Sequence, residues 1–163
     1  MYSIFLPVLI QVGLSLTLLF VLPTKRMRDL KSDPALAERA RTDTGVYAED
    51  AKRLASSYSN QFELPVLFYV GAVFAILFGL TNWWTGLLAW LFVASRIGHA
   101  VIHNTNNNLR HRFYAFAVGP FVLAIFWLTI AFEARGSLIF DMKANELARE
   151  AQQDFSEEIG LVP

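Results

Sequence analysis

Glu63, Arg96, His99 and Arg110 are ionisable residues at the margins of apolar runs long enough to enter a membrane. At such depth ionisable side chains are costly and normally face a bundle interior or a ligand. Helical spacing sorts these and their polar neighbours. Ser56, Asn60 and Glu63 fall at i, i+4, i+7; Arg96, His99 and His103 at i, i+3, i+7; Arg110 and Tyr114 at i, i+4. Each set therefore occupies one face of a helix. The three stripes offer one carboxylate, several cations, an amide, imidazoles and a phenol, a set suited to a small, multiply charged zwitterion.

Arginines would meet the carboxylates of such a ligand and Glu63 its ammonium group. A thiol held beside a cation or hydrogen-bond donor would ionise to the nucleophilic thiolate. The chain has no cysteine, so any thiol chemistry must use a thiol supplied by the ligand. Glutathione combines all these groups, and is the co-substrate expected. His99 and His103, at i, i+4 with Glu63 on a neighbouring stripe, could instead ligate zinc or iron. The only other histidine is His111, and no metal is expected. Plainer roles exist for each residue: an ion pair of Glu63 with Arg96, a helix-linking amide at Asn60, an interfacial ring at Tyr114, a topogenic charge at Arg112.

The elements that position these residues follow from composition. The chain has 163 residues, is 55% hydrophobic and balances 14 basic against 14 acidic side chains. That is the profile of an integral membrane protein, and it excludes a nucleic-acid binder. Three uncharged windows stand out, Met1 to Pro23, Leu64 to Ser95 and Phe113 to Phe132. Crossing about 30 Å of hydrocarbon takes roughly 20 helical residues. The middle window exceeds one span, falls short of two, and is broken by Thr81-Asn82-Trp83-Trp84-Thr85-Gly86, so it reads as a tight hairpin.

Four spans result, at about 4–22, 57–80, 84–103 and 113–132, in an all-α four-helix membrane domain over residues 1–136. Each hairpin arm borrows a turn from polar sequence, which draws Asn60, Glu63, Arg96, His99 and His103 to membrane depth. Lys25, Arg26, Arg28 and Lys31 after span one, with Arg110 and Arg112 before span four, place those ends in the cytoplasm and both termini outside it. Ser32-Asp33-Pro34 and Asp43-Thr44-Gly45 read as helix starts within the long first loop, giving a short surface helix and then an extension of span two. Residues 137–163 form an acidic tail that could be a surface helix.

Asn60-x-x-Glu63 followed by Pro65 at the start of span two, Arg96-x-x-His99 late in span three, and Arg110-x-x-x-Tyr114 opening span four together resemble a known family. These are the membrane-associated proteins in eicosanoid and glutathione metabolism, MAPEG, and the chain is similar to bacterial-type members from about Ile4 to Phe132. The resemblance implies a homotrimer in the bacterial inner membrane that binds glutathione between subunits on the cytoplasmic side. It implies that Arg110 stabilises the thiolate with Tyr114 beside it, while Asn60, Glu63, Arg96 and His99 hold the tripeptide. His103 stands where several members carry a tyrosine that contacts glutathione, and Arg26 would meet a carboxylate from the neighbouring subunit. The implied activity is that of a glutathione transferase or peroxidase of detoxification, acting on lipophilic small molecules that arrive through membrane lipid. A non-catalytic lipid-binding scaffold of the same fold and a His/Glu metal-dependent enzyme are the alternatives; Arg110 favours catalysis.

Overall fold

The computed structural model describes residues 4–105 and 109–158. Residues 106–108, the asparagine run of the third connection, lie outside the described residues. The described chain is helical: α1 (Phe5–Ser32), α2 (Leu36–Arg39), α3 (Glu49–Ser59), α4 (Leu64–Leu77), α5 (Trp83–Asn104) and α6 (Leu109–Glu158). Four stretches are long and apolar enough to cross a bilayer: Phe5–Ser32, Glu49–Leu77, Trp83–Asn104 and Arg110–Gln153. The protein is an integral membrane four-helix bundle.

The core sits where α4, α5 and α6 meet. Phe68 of α4 stacks on Phe92 of α5, ring centroids 4.7 Å apart, and lies 5.8 Å from Phe126 of α6. Ala72, Ala75 and Ala89 line the same seam. Small side chains let the backbones approach closely, which is how helices gain contact in lipid, where burial of apolar surface alone does not drive association. On the outside, Phe20, Leu77, Phe121, Leu128 and Phe132 are exposed, as a hydrocarbon-facing surface requires.

α1 continues through Pro23 to Ser32, a polar overhang beyond its apolar run. The overhang anchors the following loop. Asp50, at the start of α3, accepts hydrogen bonds from Lys25 at 3.0 Å and Arg28 at 2.8 Å, and Asp29 accepts from the Ala48 backbone N–H at 2.9 Å. The two loop aspartates act as turn makers. Asp33 accepts from the Ala35 N–H ahead of the single turn of α2, and Asp43 accepts from the Gly45 N–H to open the 3₁₀ turn Thr44–Val46.

The second crossing is not one helix. α3 ends at Ser59, a 3₁₀ turn follows over Asn60–Phe62, and α4 restarts at Leu64 with Glu63 as its N-cap residue and Pro65 in its first turn. Proline suits that position, because its missing N–H would have had no helical partner and its fixed φ is already helical. The interruption therefore falls at the residues with chemical potential.

The hairpin closes earlier than its Trp-rich stretch suggests. α4 ends in a Schellman motif: Leu80 N–H donates to Ala75 O at 2.8 Å and Gly79 N–H to Ile76 O at 3.2 Å. Gly79 has φ +68°, the left-handed conformation for which glycine is preferred. Asn82 then caps α5 in a reciprocal box with Thr85, and its amide also donates to Glu133 of α6 at 2.6 Å. Replacing Asn82 with alanine removes both contacts, so a loss of about 1 kcal/mol is expected for the cap. Thermal unfolding in detergent checks it.

α6 is the longest element, 50 residues. At 1.5 Å per residue it extends about 75 Å, more than twice the roughly 30 Å of hydrocarbon. The acidic tail is thus helical and continuous with span four as far as Glu158, beyond which residues 159–163 lie outside the described residues, and it leaves the bundle just past the Asn82–Glu133 contact.

Candidate functional site

The break in span two, the last two turns of α5 and the first two of α6 line an open cavity of about 360 Å³. Its volume lies within the range of small-molecule sites. Ser56, Asn60 and Glu63 form one wall, His99 and His103 the second, and Arg112, Phe113 and Phe116 the third. The stripes expected on α3 and α5 thus converge, because the 3₁₀ turn carries the helical register of Ser56 and Asn60 on to Glu63.

Chemically the walls differ. Glu63 is exposed at the N-cap of α4, and among the described residues no cation lies within ion-pairing distance of it. His99 and His103 are each 4% exposed. Both nitrogens of His99 and Nδ1 of His103 lack a hydrogen-bond partner among the described residues. His99 stands edge-on to Phe116, centroids 5.6 Å apart, and 5.7 Å from the His103 ring. Arg112 supplies the cation and Asn60 the amide.

Behind the cavity a buried polar chain joins three helices. Gln11 Nε2 of α1 donates to Gln61 Oε1 at 2.8 Å, Gln61 Nε2 to Ser57 O at 3.1 Å, and Asn104 Nδ2 to Ser57 Oγ at 3.0 Å. Gln11, at lipid depth in sequence, therefore has a partner inside its own protomer. Ser15 and Thr17 bond back to carbonyls of their own helix.

Arg96 sits a turn deeper and does not line the cavity. It is 3% exposed, and its Nη2 donates to Phe116 O at 3.1 Å. That carbonyl is special. Pro120 lies four residues on and has no N–H, so it leaves Phe116 O without its helical donor. Arg96 supplies the missing bond from the neighbouring helix, as low-dielectric surroundings demand of any freed backbone group. Its guanidinium fits only because residue 119 is glycine: a Cβ there would come within 2.0 Å of Arg96 Nη2. The Glu63–Arg96 ion pair named as a plainer role for these residues is not formed.

The remaining sequence-derived candidates lie elsewhere. Arg110 is exposed, and Tyr114 is 68% exposed on the outer surface of α6; neither lines the cavity. Arg26 stacks over Tyr47 at 5.2 Å beside a separate cavity of about 190 Å³. Arg112, Phe113 and Phe116 were not singled out for the cavity by spacing with Tyr114. Counting back along the apolar stripe of α6, Ile130, Phe126, Leu123, Gly119, Phe116, in steps of four and three, arrives at Arg112 and would have found it. Among the described residues no group of three metal-binding side chains converges.

A family model described as MAPEG family matches residues 4–132. No curated protein matches the chain, and no solved structure does.

Proposed function

Because the chain belongs to the MAPEG family of membrane proteins, with its glutathione-related and eicosanoid-metabolism roles, we propose that it activates the thiol of glutathione against lipophilic electrophiles, as a transferase or peroxidase. The observation that carries this reading is the single cavity in which Asn60, Glu63, His99, His103 and Arg112 meet. Glu63 takes the α-ammonium of the tripeptide, Asn60 a peptide group, and Arg112 the thiolate. A guanidinium partly withdrawn from water, as Arg112 is, stabilises a thiolate better than a water-screened charge does. Positioning and this electrostatic effect carry the chemistry, without a covalent enzyme intermediate.

Arg110 and Tyr114, turned outward on α6, and Arg26, beside its own cavity, are proposed to reach glutathione across an interface with a second copy. The assembly proposed is a homotrimer, with the site toward the cytoplasm and both termini on the other side. Membrane lipid delivers the electrophile.

The test is titration of glutathione into the detergent-purified protein, following the ultraviolet absorbance of the thiolate. A saturable signal is expected; no signal at any glutathione concentration would rule the reading out. A second reading, a lipid-binding scaffold without catalysis, is favoured by one feature. An apolar cavity of about 390 Å³ opens between α1 and the break in span two, lined by Leu16, Leu19, Tyr58, Phe62 and Val66 among others. Lipid binding without a thiolate signal would select it.

A further inference from the structure

The apolar stripe of α6 does not stop where the bundle does. Leu123, Phe126 and Ile130 are buried against the neighbouring helices. Continued in the same alternating steps of three and four, the stripe passes Glu133, which accepts from the Asn82 amide at the hairpin, and then Ser137. It goes on to Phe140, Ala144, Leu147 and Ala151, with Ala148 beside them. Steps of three and four make a heptad repeat, the pattern that keeps one helix against another over many turns. Up to the hairpin this seam is packed; beyond it, the seam is bare. Phe140 is 72% and Leu147 65% exposed, and the three alanines are exposed with them. All lie past residue 132, where the family match ends, so the shared membrane domain does not account for them.

The bare stretch has the form of a docking face. At 100° per residue, Phe140, Ala144, Leu147, Ala148 and Ala151 fall within an arc of about 100°. From Phe140 to Ala151 no charged residue falls in that arc; Asp141 borders it on one flank and Lys143 on the other. The membrane then restricts what can cover it. α6 is one unbroken helix from span four into the tail, so the stripe cannot fold back onto its own bundle or lie flat on the bilayer. A second copy in the same bilayer sends out its tail on the same side, parallel and at the same height. Its Phe140 and Leu147 then stand level with those of the first copy. Across a parallel seam the Asp141 flank of one helix meets the Lys143 flank of the other, so the face is complementary to itself in charge. Large and small residues also alternate along it, which lets facing layers interdigitate.

We propose that the tails of neighbouring copies pair through Phe140, Ala144, Leu147 and Ala151 as a short parallel coiled coil outside the membrane. Two heptads suffice because both helices are anchored in one bilayer, which raises their effective concentration. The pairing belongs to the tail and is independent of whether the cavity binds glutathione.

The chain has no cysteine, so single cysteines report directly on the face. Ala144→Cys, Leu147→Cys and Ala151→Cys on the stripe, with Glu146→Cys and Arg149→Cys on the opposite face, are made in the full-length chain. Native membranes are treated with copper phenanthroline, and dimers are followed on denaturing gels. A disulfide needs Cβ atoms about 4 Å apart, so the stripe positions should cross-link at least about tenfold faster than the opposite face. Adding Leu147→Asp to Ala144→Cys should abolish that cross-link. Equal rates on both faces would mean that copies merely collide, and no dimer at the stripe would mean that the tails stand apart. Either result overturns the proposal, as does an Ala144→Cys cross-link that survives Leu147→Asp. A stripe product whose mass is not that of two copies assigns the face to a different protein and also overturns it.

Discussion

Arg112→Ala should abolish the glutathione thiolate signal and lower conjugation by about 10² to 10³-fold, the range seen when a single electrostatic stabiliser is removed from a catalytic site. The expectation follows from placement. Arg112 lies on the face of α6 that packs toward α5, and it shares the cavity wall with Phe116. Arg110, two residues earlier, is rotated about 200° around a helix at 100° per residue and is exposed. In Arg110→Ala the cavity wall of the protomer is unaltered, so its effect should come through assembly or through the outer carboxylates of the tripeptide. That appears as a raised KM for glutathione with kcat changed less than in Arg112→Ala. Thiolate titration, steady-state kinetics and sizing of the detergent complex, run on both variants, separate the two arginines. Retention of the thiolate signal in Arg112→Ala with its loss in Arg110→Ala would move the thiolate to the outer face of α6.

The second large effect concerns the contact between α5 and α6. Arg96→Met removes the donor to Phe116 O and leaves a carbonyl that Pro120 has already deprived of its helical partner. A buried acceptor without a partner costs about 1 to 3 kcal/mol. Pro120→Ala restores a backbone N–H at the right position, so in that background the loss of Arg96 should be much less damaging. The expected result is a double-mutant cycle with favourable coupling between Arg96 and Pro120 of about 1 kcal/mol or more. Thermal unfolding of the four proteins in one detergent provides it. Additive losses would show that Arg96 contributes to the bundle through its charge or volume, independently of the freed carbonyl. Activity should follow stability here, because Arg96 holds the helix that carries Arg112 and does not itself line the cavity.

These two arginines also show where local pattern and tertiary packing divide the work. Span number, the hairpin and the convergence of Asn60 and Glu63 with His99 and His103 were legible in the chain, whereas the interruption of span two ahead of Leu64 was not, since residues 57–80 read as one span. Each legible feature depends on hydrophobic length, helical period or a turn residue, which are properties of neighbours in sequence. The family was legible for the same reason, since its motifs are short and lie at span ends.

What packing decided was which face of each helix turns inward. On α6 an apolar residue occupies nearly every face, so hydrophobicity alone does not orient it; the contact of Phe126 with Phe68 and the notch at Gly119 do. That rotation turns Arg112 into the cavity and Arg110 away from it. The partner of Arg96 was equally hidden, because a carbonyl has no letter in the sequence and this one is unsatisfied only where Pro120 meets a neighbouring helix. Gln11 and Gln61, fifty positions apart, are hydrogen-bonded only in the folded bundle. Local pattern in the chain specifies a four-span membrane protein of this family with polar stripes at the ends of its spans. The tertiary structure alone decided which charges enter the site, because opposing helix faces in lipid differ less in hydrophobicity than in shape and hydrogen bonding.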